Sequence, residues 1–203
     1  MSEFSSMGIF TRACRSMKKS KQDQDGAKTA VVQVVADPLL VIMKGLRSQE
    51  HLCDCLEQIA DSLPDNIDPS LVAATLHLME HDLALCILDD EDGLFPLLES
   101  HSVPGDNVAE LLLDLRRGNA MDECYAAEVV EELQNLARDP KPDRPDALGY
   151  LLRAFFETRR RHIAWEKAVV MPLARERLDA EAQRVLAARM LRHRDQHVDL
   201  QGG

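Results

Sequence analysis

Apolar residues recur along most of this chain at intervals of three and four, the period of helices that bury one face. The clearest run is Leu39, Ile42, Met43, Leu46, Leu52, Leu56 and Ile59. It follows Asp37-Pro38, an N-cap residue with proline in the first helical position, and predicts helix A over residues 37–63. After the loop Pro64-Asp65-Asn66-Ile67-Asp68, helix B starts at Pro69 and runs through Leu71, Leu78, Leu85 and Cys86 towards Leu98. Pro96 should kink or tighten its last turn. A turn at Pro104-Gly105 opens the next element, which resumes after Gly118-Asn119 as helix C over residues 120–137. The proline-rich segment 139–145 is a connector. Helix D follows over 146–175, and a shorter amphipathic helix over 179–193 buries Leu186 and Met190 against the others. Four long helices with short links predict an all-α fold, an antiparallel four-helix bundle with a short extra C-terminal helix.

Ahead of helix A, residues 1–36 carry Arg12, Arg15, Lys18, Lys19, Lys21 and Lys28 among Ser, Gln and Asp, without sustained periodicity. They predict a disordered, mobile basic arm; residues 37–198 are then the helical domain and 199–203 a tail. A chain of 203 residues suffices for one core, and its wealth of Leu, Ala, Glu and Arg favours helix over sheet. The net charge of −11 argues against nucleic acid as a partner. No membrane span is expected, since no apolar run approaches about eighteen residues, and no hydrophobic leader precedes a cleavage site. A cytoplasmic protein is therefore expected. Cys14, Cys53, Cys55, Cys86 and Cys124 are odd in number and irregularly spaced, so they read as thiols or metal ligands rather than as a disulfide framework.

Candidate chemistry enters with Arg161-His162-Ile163-Ala164-Trp165-Glu166, which sets an imidazole and a carboxylate one helical turn apart. Positions i and i+4 share a face, so both groups can reach one ion; the same spacing is also common on solvated faces. Helix B repeats the layout, with Cys86 four residues before Asp90 and an apolar-Pro-apolar element after it.

With these two segments the chain resembles the hemerythrin-like family of four-helix bundles that hold a non-haem di-iron site. His162, Glu166, Val170, Pro172, Leu173 and Ala174 match the family's last helix, and Asp89, Asp90, Glu91, Leu94, Phe95, Pro96 and Leu97 match its second. The resemblance extends from about Asp37 to the C-terminal region and is loose outside these helices. It implies one histidine from each helix and bridging carboxylates from B and D. His162 and Glu166 carry over directly, and Asp90 stands for the family's glutamate. Cys86 and Cys124, the latter in Glu123-Cys124, occupy histidine positions. On helix A the ligand position falls either at Leu46, where the ligand is lost, or at His51, with Cys55 on its face. Glu128, one turn beyond Cys124, is a further candidate, whereas His77, His81, His101, His193 and His197 read as surface or helix-end residues.

Reversible oxygen binding at two irons needs several neutral imidazoles, so the altered set argues against it. Cys86, Cys124, His162 and a carboxylate from Asp90 or Glu166 suit one zinc or one mononuclear iron better than a di-iron centre, while a metal-free bundle with both cysteines as small core residues competes with either. Cys86 and Cys124, if they faced each other, would also form a redox pair. No phosphate loop or nucleophile elbow is present. The expected function is a non-catalytic bundle with an altered or vestigial metal site that senses, regulates or binds an unknown protein partner. The alternative is an iron or zinc protein responding to oxygen, nitric oxide or peroxide.

Overall fold

The structure, a computed structural model, describes residues 36–202, with side chains described as far as residue 196. The expected basic arm, Cys14 and the side chain of His197 lie outside the described residues. Those described form five helices and no strand: α1 Pro38–Ser62, α2 Pro69–His101, α3 Val108–Arg138, α4 over 145–177 and α5 Ala180–Gly202.

The helix starts follow local chemistry. The Asp37 carboxylate accepts from the Leu40 amide at 2.8 Å and Asp68 from the Ser70 amide at 2.8 Å, each just ahead of a proline in the first turn. Asp179 accepts from the Glu181 and Ala182 amides and starts α5 in the same way. Gly105, in the expected turn, has φ +109°, a conformation that excludes a side chain at little cost only in glycine.

Two boundaries depart from expectation. Gly118-Asn119 does not interrupt helix C: α3 is one helix of 31 residues. Its glycine answers a packing demand, because a Cβ at Gly118 would stand 2.8 Å from His162 Nδ1. Asn119 is buried and bonded on both sides, as described below. The last helix also continues past His193 to Gly202, so residues 199–202, expected as a tail, are helical. The absence of a long apolar run is corrected as well. Within Pro69–His101 an 18-residue window has a mean hydropathy of 1.5, apolar and long enough by composition to cross a membrane. Met79, Leu83 and Ile87 of this helix are core residues.

The helices share one core. α1 packs along α4, α3 lies on α4 and on the start of α2, and α5 covers the second half of α2 and part of α1. Leu52, Leu56, Val72, Leu83, Leu112, Leu133, Leu152, Phe155, Leu186 and Met190 are fully or almost fully buried. Each such side chain contributes about 1.5–3 kcal/mol relative to exposure. Leu186 and Met190 thus do what their spacing predicts.

Three π-helical turns interrupt the rods, at Leu78–Leu83, Asp89–Leu94 and Glu166–Val170. The last two precede Pro96 and Pro172, as the proline ring, which lacks an N–H and crowds the carbonyl four residues back, favours a widened turn. Phe95 and Met171 accordingly donate to the carbonyls of Asp90 and Glu166, five residues back. Among the described residues these two turns hold the buried acids Asp89, Asp90 and Glu166, while Asp122 is buried on α3.

Candidate functional site

The centre of the fold contains an arginine. Arg159 of α4 is wholly buried, the largest side chain to be so. Its Nε donates to Gln49 Oε1 of α1 at 2.6 Å, and its Nη2 donates to the same oxygen. Nη1 donates to Asn119 Oδ1 at 3.1 Å and to Asp122 Oδ2 at 3.0 Å, both on α3. Asn119 Nδ2 in turn donates to Glu91 Oε1 of α2 at 2.8 Å. One guanidinium therefore links α1, α3 and α4 directly and α2 through one amide. A buried charge needs this degree of pairing, because desolvation costs several kcal/mol per ion.

Arg159, His162 and Glu166 follow at intervals of three and four and so lie on one face of α4. His162 and Glu166 are both buried, with Nε2 3.4 Å from Oε1. His162 Nε2 and Asp122 Oδ1 are buried without a hydrogen-bond partner, and the buried Glu166 oxygens have none unless Asp90 carries a proton.

Across from them, α2 spreads four consecutive acids over three neighbouring helices. Asp89 meets His193 and Arg194 of α5, Asp90 meets Glu166 of α4, Glu91 meets Arg116 and Asn119 of α3, and Asp92 meets His193. An ordinary α-helix separates successive side chains by about 100°, and the π-turn over Asp89–Leu94 reorients this fan so that Asp89 and Asp90 are both buried. Burial, and next the charge of Glu166, hold the Asp90 carboxyl well above the ordinary aspartate range, against the opposing pull of Arg159. Two ionised carboxylates offer each other no donor; a proton kept on Asp90 makes the bond to Glu166.

The expected ligands fare differently. Glu166 pairs with His162 on its own helix and with Asp90 across the core, but the three are not gathered around one point. Cys86 is near them: a Cβ at Gly45 of α1 would stand 2.8 Å from its sulfur, and Gln49 bonds to its thiol. Burial, with Asp90 adding to it, pushes the Cys86 thiol up to about 12, so it is neutral and a poor metal ligand or nucleophile in its free form. Cys124 is exposed on α3, and Glu128 is exposed too. The buried face of that helix runs through Leu115, Asn119, Asp122, Ala126 and Val129, and Cys124, two residues after Asp122, points about 200° away. The expected convergence of Cys86 and Cys124, whether on a metal or as a redox pair, is thus corrected: one sulfur faces α1 and the other solvent. On α1, Leu46 is buried and His51 is exposed, its Nε2 3.7 Å from Cys55 Sγ.

Among the described residues no group of three or more His, Cys, Asp or Glu side chains is gathered as a metal ion requires. The donors near the core acids comprise one imidazole and two carboxyls beside a fixed guanidinium. That set does not fit two irons, whose charge would add to that of Arg159 and whose coordination would lack imidazoles. A cavity of about 270 Å³ does reach the cluster from outside, entering between α1 and α2 past Lys44, Ser48 and Arg194 and ending at Gly45, Cys86 and Asp90.

Two residues central to this arrangement were missed by motif spacing. Arg159 had a signal, since it stands three and seven residues before His162 and Glu166 on the same face. His193 had one as well, as it continues the Leu186, Met190 spacing into the buried face of α5, where it is almost fully enclosed. No family model matches this chain, and no significant match is found among the curated proteins or the solved structures.

Proposed function

We propose that this chain is a hemerythrin-like antiparallel four-helix bundle, cytoplasmic and non-catalytic, whose core site has given up its metals and which works as a sensory, regulatory or binding protein. The reading is carried by Arg159. A guanidinium fixed among Asp122, Asn119 and Gln49 supplies, inside the core, positive charge of the kind that metal ions would bring to Asp90 and Glu166. The lack of a three-donor group among the described residues supports the same conclusion. Burial keeps the Cys86 thiol neutral, which suits packing rather than nucleophilic chemistry.

The alternative, an iron- or zinc-dependent protein responding to oxygen, nitric oxide or peroxide, draws on the buried His162 Nε2, which lacks a hydrogen-bond partner, and on the Glu166 carboxylate 3.4 Å from it, both of metal-binding type. Elemental mass spectrometry on protein purified under reducing conditions, beside the His162→Ala variant, separates the two. The vestigial reading expects substoichiometric metal in both. Near-stoichiometric iron or zinc in the wild type, lost in the variant, would replace it with the alternative.

A further inference from the structure

The clearest titratable device outside the core cluster joins α5 to the acidic turn of α2. His193 is almost fully enclosed, with Nδ1 2.8 Å from Asp89 Oδ1 and Nε2 2.9 Å from Asp92 Oδ2. Only an imidazolium has an N–H on both nitrogens, so this geometry requires the charged form. The approach is close: a Cβ at Gly93 would stand 3.2 Å from Leu186 Cδ1 and 3.9 Å from His193 Cε1. Other contacts complete the docking. Arg194 donates to both Asp89 oxygens at 3.1 and 2.9 Å. Arg189 donates at 3.0 Å to the carbonyl of Asp92, which Pro96 four residues on cannot satisfy.

We propose that α5 is a pH-released clasp: His193, held between Asp89 and Asp92, fastens the C-terminal helix to α2 in mildly acidic solution and loosens it in alkaline solution, opening the cavity that ends at Asp90. The mechanism is local. When the imidazolium loses a proton, one of its two bonds becomes a contact between a nitrogen lone pair and a carboxylate oxygen. That contact repels. The charged groups facing His193 are Asp89 and Asp92 on α2 and Arg189, Arg192 and Arg194 on α5, while Lys44 of α1 lies at the cavity mouth beside Asp89 and Arg194. Loss of the His193 bond leaves Arg194 as the remaining side-chain tie to Asp89, so α5 opens more often while the rest of the core stays folded. Because Arg194 also lines the cavity, each opening of α5 that frees Arg194 from Asp89 widens the way in. The device uses Asp89 and Asp92 and is independent of whether the core site holds a metal.

The sign follows from two opposed effects on His193. Burial alone lowers its pKa, but the bonds and charges of Asp89 and Asp92 outweigh it and raise the value above 6.5. A raised histidine contributes fully below its unfolded value and loses its contribution as pH rises through the folded one. The clasp is firm below about pH 6.5 and loosens as pH rises through the raised value of His193.

Hydrogen–deuterium exchange of the full chain, corrected for intrinsic rates and read at about pH 5.5 and about pH 8.5, tests this. Protection across 180–202 should fall severalfold to roughly tenfold, while α1 is unchanged. Asp92→Asn, at a side chain 63% exposed and so tolerant of change, should shift the loss of protection to lower pH. His193→Gln should leave α5 weakly protected at both pH values. Equal wild-type protection at both pH values, or a pH dependence unaltered by Asp92→Asn, would overturn the proposal.

Discussion

The same four acids of α2 serve two sites built on different cations. On the inner side, Asp90 and Glu91 face the cluster around Arg159; on the outer side, Asp89 and Asp92 hold His193. A guanidinium keeps its charge at any pH at which proteins fold, whereas an imidazolium gives it up near neutrality. The inner site is therefore a fixed electrostatic brace and the outer one an adjustable attachment. The difference teaches that a run of like charges in sequence is not a single functional unit, because a π-turn can send its members to opposite sides of a helix.

The largest effect should come from breaking the brace. Asp122→Ala leaves the Arg159 charge in the core without its carboxylate and should cost about 3–5 kcal/mol in urea unfolding. The paired change Arg159→Met with Asp122→Leu should recover most of that loss, since an apolar pair replaces buried ions at little cost. A double variant as unstable as the single one would mean the brace has a role that packing cannot replace. Gly118→Ala comes next. Its methyl meets the His162 ring at 2.8 Å, so overpacking of about 1–3 kcal/mol should exceed the gain of about 1 kcal/mol from helix propensity.

Asp90→Asn sharpens the contrast through pH. A carboxyl with a raised folded value contributes stability below its unfolded value, about pH 3.9, and loses it as pH rises through the folded value. Asparagine, which donates to Glu166 at any pH, should thus stabilise the protein at neutral pH relative to wild type and flatten that part of the pH profile. An unchanged profile would show that Asp90 titrates normally. The smallest effect belongs to the surface: Arg153→Met, which removes the exposed pair with Asp61, should change stability by no more than about 1 kcal/mol.

Much of the fold was legible in the sequence. Asp37-Pro38, Asp68-Pro69 and the 3–4 spacing of α1 and α5 determine caps and faces by local chemistry alone. The sequence misled where tertiary contacts decide. Gly118 looks like a break, yet it is helical because His162 packs on it. Cys124 looked like a ligand because Glu123-Cys124 was matched by motif, but the helical phase set by Leu115, Asn119 and Asp122 turns it to solvent. His162, Glu166 and Asp90 could be read because they obey the helical period. The position of Asp90 beside Glu166 also depends on π-turns, which an ordinary 3.6-residue reading does not contain.

Thermal unfolding in chelator, compared with unfolding in added ferrous iron or zinc, tests most directly whether Arg159 has taken over the charge balance of this core. The account predicts that the melting temperature is the same in all three. A rise of about 5–10 °C with either metal, the stabilisation expected of a well-occupied site in a chain of this size, would contradict it.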